Sequence, residues 1–128
     1  MNKVLIVDDD YSIRELYKFI LTDLGYEVET AVDGLDALGK ITIFRPDCMM
    51  IDIEMPEMTG IEFTRKLHES PDPRWRNIPF VVLTGGSYLD VPLQYAFQSN
   101  ASCKAFLPKI TNPDTVAKTV QRILRERQ

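Results

Sequence analysis

The sequence predicts an α/β fold in which one parallel five-stranded sheet carries helices on both faces. Two observations lead there. Short apolar runs alternate with amphipathic segments from one end of the chain to the other, the pattern of repeated strand–helix units. Three of the runs are near-continuously apolar rather than alternating, as strands covered on both faces should be. With 128 residues, a single domain over 1–128 is expected.

The first run, "KVLIV" (3–7), leads directly into Asp8, Asp9 and Asp10. In the first helix Ile13, Leu16, Tyr17, Ile20, Leu21 and Leu24 recur at helical spacing, and Gly25 is its natural stop. Asp10 is the expected N-cap, with Ser12 and Glu15 as a rival capping box. A second strand is expected over 27–31. Leu35, Leu38 and Ile41 then mark a second helix, weakened by Gly39, which costs about 1 kcal/mol relative to Ala. The third strand, 48–51, ends at Asp52, and a helix over 61–67 follows Gly60. "SPDPRWRNIP" (70–79) reads as a Pro-rich loop too short to link two domains. The fourth strand, 80–83, ends at Thr84, and a fourth helix is expected over 91–98. The fifth strand, 104–107, leads to Lys109. The last helix has Asn112 as N-cap and Pro113 at its first position, with Val116, Val120, Ile123 and Leu124 on one face. There are no internal repeats or low-complexity tracts.

Composition excludes several functions. Hydrophobic residues make up 45% and charged residues 27%, ordinary for a globular protein. No apolar run reaches the roughly 18 residues needed to span a bilayer, and Met1-Asn2-Lys3 leads straight into the first strand. A cytoplasmic location without membrane contact is the expectation. A net charge of −4 offers no bulk attraction to nucleic acid. Arg122, Arg125 and Arg127, interrupted by Glu126, read as cations of a last helical turn. Cys48 and Cys103 are too few and too far apart for a disulfide framework or a zinc site, and are expected to behave as small hydrophobes. His68 has no ligand-type neighbour at metal spacing and reads as a surface or capping residue. Trp75 is expected to cover a helix end.

In an open α/β sheet, ligands bind outside the carboxyl ends of the strands. Those ends carry Asp8, Asp9 and Asp10 after the first strand, Asp52 after the third, Thr84 after the fourth and Lys109 after the fifth. Two carboxylates about 4 Å apart repel by roughly 4 kcal/mol at an effective dielectric near 20. A hard dication relieves that repulsion. Mg²⁺ takes one or two carboxylates, keeps several waters and completes its octahedron with phosphate oxygen. Thr84 and Lys109 would add donors for a phosphoryl group, leaving one carboxylate, Asp52, as nucleophile for an acyl phosphate. Each residue alone has an ordinary reading as cap, strand end or surface lysine. Their conjunction at four strand ends points to phosphoryl chemistry.

The stretch "MMIDIEMPEMTG" sets Met55, Pro56, Met58 and Gly60 behind Asp52. Together with "VLIVDDD", "VVLTG" and "AFLPK", in that order and at these separations, it resembles the receiver domain of two-component response regulators over essentially the whole chain. The resemblance implies a flavodoxin-like sheet of strand order 2-1-3-4-5 with five helices. It implies Asp52 as phosphoacceptor, and Mg²⁺ held by Asp8, Asp9, Asp52 and the main-chain carbonyl of Glu54. Thr84 would be the switch hydroxyl, Phe106 the aromatic that changes rotamer, and Lys109 the partner of a phosphoryl oxygen. A histidine kinase or histidine phosphotransfer protein would be the donor. The output would be the surface of the fourth helix, fifth strand and last helix, acting on a downstream protein, with the chain a monomer or a phosphorylation-dependent dimer. Such a chain catalyses only its own phosphorylation and dephosphorylation.

Four positions depart from the commonest pattern of that family. Asn100 stands where glycine is usual and is expected to take the same left-handed cap. Gly85 and Gly86 are expected to loosen the loop after Thr84. Ile110 replaces a proline whose peptide bond is commonly cis. A cis bond before a non-proline residue costs about 2.5–4 kcal/mol, so a trans bond is expected.

Three rival functions are weaker. An aspartyl-nucleophile phosphohydrolase of the haloacid dehalogenase kind would match Asp8 and Asp10, but 128 residues leave no cap domain. A flavin-binding protein would place a hydroxyl- and Gly-rich loop where three aspartates stand. A receiver-fold adaptor that is never phosphorylated would not require all the catalytic positions present here.

Overall fold

The computed structural model describes residues 2–55, 57–85, 97 and 100–127. Strands β1 (Lys3–Val7), β2 (Glu27–Ala31), β3 (Cys48–Asp52), β4 (Phe80–Thr84) and β5 (Cys103–Pro108) pair in parallel in the order β2-β1-β3-β4-β5. The chain reverses its direction of travel across the sheet between β1 and β3, so the crevice expected of such sheets opens above these two strands. Helices are α1 (Tyr11–Asp23), α2 (Gly34–Phe44), α3 (Gly60–His68), a single turn α4 (Pro73–Arg76) and α5 (Pro113–Arg127). The helix expected over 91–98 lies outside the described residues apart from Phe97, which is helical. Gly86 and Pro56 also lie outside them.

Alternation along the strands divides the core in two. Leu5, Val7, Met49, Ile51, Phe80 and Val82 face α2, α3 and Phe97. Val4, Ile6, Cys48, Met50, Val81 and Leu83 face α1 and α5. β1, β3 and β4 are therefore covered on both sides, which is why their sequences are continuously apolar. β5, the edge strand, is only partly buried and carries a bulge. Its register steps from Phe80↔Cys103 to Val81↔Ala105, so Lys104 is the extra residue. Cys103 and Phe106, three apart, consequently lie on one face.

The helix ends follow their expected chemistry. Asp10 caps α1 through the Ser12 and Ile13 N–H groups, and this, rather than a Ser12–Glu15 box, starts the helix. Gly25, at φ 94°, closes it: its N–H donates to Thr22 and that of Tyr26 to Leu21, a Schellman motif. Asn112 caps α5, its carboxamide accepting from Asp114 N–H at 2.7 Å. Buried stripes are narrower than the apolar pattern suggests. On α1 they comprise Ile13, Tyr17 and Leu21, with Leu16 and Leu24 exposed. On α2 they comprise Gly34, Ala37 and Ile41, with Leu35 exposed.

The 70–79 segment is more ordered than a plain loop. Asp72 caps the α4 turn, Pro73 starts it, and Trp75 packs against the core under the Arg74 guanidinium. Asn100, expected in a left-handed conformation, is absent from the described non-glycine residues of positive φ, Arg45 and Glu57. Its carboxamide instead accepts from Ser102 N–H at 3.1 Å, and its carbonyl from Cys103 N–H, a turn that feeds β5. No cis peptide occurs among the described residues, so Lys109–Ile110 is trans.

Candidate phosphoryl-transfer site

At the carboxyl ends of β1 and β3, two aspartates are buried side by side. Asp8 is 0% exposed and Asp52 1%. They are placed there by strand pairing, since Val7 lies beside Ile51 in the ladder and each carboxylate follows within a residue. Asp9 extends from the same turn but is exposed. Arg14, one turn into α1, donates to the Asp8 carbonyl at 2.8 Å and ties that turn to the helix.

Lys109 closes the site from β5. Its N–H continues the ladder to the Thr84 carbonyl at 2.8 Å. Its ammonium lies 3.2 Å from Asp8 Oδ1, 3.2 Å from Asp52 Oδ2 and 4.0 Å from Asp9 Oδ1. Three carboxylates facing one ammonium leave an excess of negative charge. Burial, and then the Asp8 charge, push the Asp52 carboxyl up from 3.8 to about 6, against the pull of Lys109 and the Glu54 N–H. Burial also raises Asp8, although Asp10 N–H and Lys109 oppose it. For Lys109, burial favours the neutral amine, but hydrogen bonds to Asp8 and Asp52 outweigh it and raise its pKa.

The donor set fits a hard cation. Oxygens of Asp8, Asp9 and Asp52 lie within 4.8 Å of one another. Asp8 Oδ1 accepts Asp10 N–H at 2.8 Å, whereas Asp8 Oδ2 is buried without a hydrogen-bond partner. An orphaned buried carboxylate oxygen costs of order 1–3 kcal/mol or more, and a dication among the three groups removes that cost. Glu54, expected to offer its carbonyl, donates its N–H to Asp52 Oδ1 at 3.3 Å and so lies beside the cluster.

Thr84 is buried at the end of β4, next to the strand that carries Lys109. A cleft lined by Asp10, Ile13, Thr84, Gly85, Pro108, Lys109 and Ile110 opens there. Phe106 lies two residues before the end of β5, half-buried, with its ring edge-to-face on Phe97 at 5.7 Å. The structure thus gathers Asp8, Asp9, Asp52 and Lys109 within contact distance, with Thr84 adjoining and Phe106 farther down the same strand. Cys48 is buried, Cys103 half-buried and His68 exposed, all three away from this cluster.

Two contributors lie outside the expected site residues. Arg14 reads as an exposed helix residue, and only its reach back to the Asp8 carbonyl gives it a part. Gly60 starts α3 against the main chain of Asp52, and its N–H donates to the Ile53 carbonyl at 2.9 Å. The spacing of Gly60 behind Asp52 was the available clue to that approach.

Comparison with known proteins agrees with this arrangement. The response regulator receiver domain family matches residues 4–121. Response regulator MprA of Mycobacterium avium is 40% identical over 82 residues, 64% of this chain and 34% of that protein. The matched segment therefore spans about one third of the relative's length. The solved structure of Vibrio cholerae chemotaxis protein CheY4 superimposes with a TM-score of 0.86 at 37% identity, covering 96% of this chain and 98% of that one. The response regulator protein TrrA of Thermotoga maritima, solved in complex with Mg²⁺-BeF, gives a TM-score of 0.81 at 28% identity, covering 96% and 99%. A matching sheet order, acids paired at the ends of β1 and β3, a lysine reaching them from β5 and a family match over residues 4–121 converge on one assignment: the chain belongs to the response regulator receiver domain family.

Proposed function

We propose that the chain is a phosphorylation-activated signalling switch in which Asp52 accepts a phosphoryl group from a histidine kinase or histidine phosphotransfer protein. The observation that carries this reading is the buried Asp8–Asp52 pair sharing the Lys109 ammonium at 3.2 Å from each, with Asp8 Oδ2 left without a partner. Asp52 is the nucleophile. One of its oxygens forms the new bond to phosphorus as the phosphorus–nitrogen bond to the donor imidazole breaks, and the imidazole leaves with its electron pair. With a carboxyl near 6, Asp52 is largely ionised at neutral pH and ready to attack.

Asp8, Asp9, Asp52 and the main-chain carbonyl of Glu54 would hold Mg²⁺, which the similar Thermotoga protein carries with BeF in its solved complex. When bound, the ion supplies charge neutralisation for the phosphoryl oxygens and the carboxylates. Lys109 then turns from its aspartate partners to a phosphoryl oxygen, and the Thr84 hydroxyl moves toward another. Phe106 follows Thr84 inward and reshapes the β5 and α5 surface for a downstream protein. The chain acts as a switch and not as a turnover enzyme, in the cytoplasm, as a monomer or a phosphorylation-dependent dimer. Among the described residues no helix is long and apolar enough to cross a membrane.

The test is incubation with acetyl phosphate and Mg²⁺. One phosphoryl mass should be added to the wild type and none to Asp52→Asn. Label retained in Asp52→Asn assigns the acceptor to another residue and overturns the reading.

A further inference from the structure

The main chain of Lys109 is held from both sides, and one of its holders has no place in the chemistry above. Its N–H is bound by Thr84, and its carbonyl accepts the Tyr17 hydroxyl at 2.5 Å. Tyr17 lies in the middle of α1, fully buried, among Ile13, Leu21, Val116 and Val120. Apolar packing alone asks only for a large hydrophobe at that position. The hydroxyl therefore needs its own explanation, because a buried hydroxyl is costly without a partner. Burial pushes the phenol above its usual value of 10, so it stays protonated and donates.

We infer that Tyr17 is a positioning residue for Lys109, an inference that rests on the phosphoryl-transfer reading of the site. A lysine ammonium rides on a flexible four-carbon stem, so its aim depends on where the stem begins. After Lys109 the chain turns outward at Ile110, which is 83% exposed, and Thr111 N–H then returns to the same Tyr17 oxygen ahead of the Asn112 cap. Tyr17 thus holds both ends of that turn. The same helix also fixes the opposite partner, since Arg14 grips the Asp8 carbonyl and Asp10 caps the helix start. One rigid element, α1, thereby sets the distance between the acidic turn and the cation that bridges Asp8 and Asp52.

Tyr17→Phe keeps the ring and removes only the hydroxyl, which donates to the Lys109 carbonyl and accepts from Thr111 N–H. Phosphoryl uptake from acetyl phosphate is measured in the wild type, Tyr17→Phe, Lys109→Ala and the double variant, with Asp52→Asn as blank. Tyr17→Phe should slow uptake by about tenfold, equivalent to about 1.4 kcal/mol on the barrier. It should add nothing in the Lys109→Ala background. Equal slowing in both backgrounds, or none in either, overturns the inference. A second readout needs no phosphorylation: the ¹⁵Nζ resonance of Lys109, assigned by its loss in Lys109→Ala. In Tyr17→Phe it should shift and broaden toward that of a free lysine; an unchanged resonance also overturns the inference. A wild type that takes up no phosphoryl group removes the functional reading, while the resonance still decides the role of Tyr17.

Discussion

Gly60 approaches the main chain of Asp52 so closely that a Cβ at position 60 would lie 2.4 Å from the Asp52 carbonyl oxygen and 3.0 Å from Ile53 Cα. Both obstacles are backbone, and neither can rotate away. Gly60→Ala should therefore push α3 off β3, costing about 2 kcal/mol and slowing phosphorylation as Asp52 shifts. Gly34 is the control, because there the Cβ meets the flexible Met58 side chain at 2.9 Å. Gly34→Ala should change stability by less than about 1 kcal/mol, as the helix preference for Ala offsets the shift of Met58. Urea denaturation of both variants checks the contrast, and equal losses would show that the close approach is unimportant.

The acidic pair makes the metal-free fold pH-sensitive. The Asp52 carboxyl is raised in the folded chain from 3.8 to about 6, so its contribution to stability is fully present below pH 3.8 and lost as pH rises through 6. The stability of Asp52→Asn minus that of wild type should grow between pH 4 and pH 7 without metal, and shrink again when Mg²⁺ is added. Denaturation at the two pH values tests it. A pH-independent difference would contradict the burial of an ionised Asp52.

Asp9 and Asp10 are adjacent but have separate tasks. Asp9→Ala removes an expected ligand, so Mg²⁺ affinity and phosphorylation rate should fall together in calorimetric titration and uptake assays. Asp10→Ala removes the α1 cap bonds to Ser12 and Ile13. It should cost about 1 kcal/mol of stability while leaving Mg²⁺ affinity nearly intact. Unchanged affinity in Asp9→Ala would remove Asp9 from the metal site.

Thr84 should separate chemistry from response. Thr84→Ala keeps Asp52, Lys109 and the acidic cluster, so phosphorylation should proceed. A bound group shifts a conformational equilibrium only by its differential contacts with the two states, and the hydroxyl is one such contact. Amide spectra of phosphorylated Thr84→Ala should therefore show a reduced shift over β5 and α5. A full shift would assign the coupling to another group.

The sequence by itself pointed to the parallel sheet, because short continuous apolar runs such as "VLIV" and "FVVL", alternating with amphipathic segments, suit strands covered on both faces. It also determined the strand ends that carry Asp8, Asp52, Thr84 and Lys109, since local hydrophobic period and cap chemistry act within a few residues. Tertiary structure decided what depends on distant chain segments. The Lys104 bulge, invisible to a period-two reading, places Cys103 and Phe106 on one face because β5 must match β4 in register. Exposure of Leu35 and burial of Ala37 follow from how α2 sits on β2, β1 and α3, with Gly34 close against the Met58 side chain. The contact between Tyr17 and Lys109 spans 92 positions in the chain and joins an apolar stripe to a loop. No local pattern encodes such a pairing; it exists only once both helices have packed on the same face of the sheet.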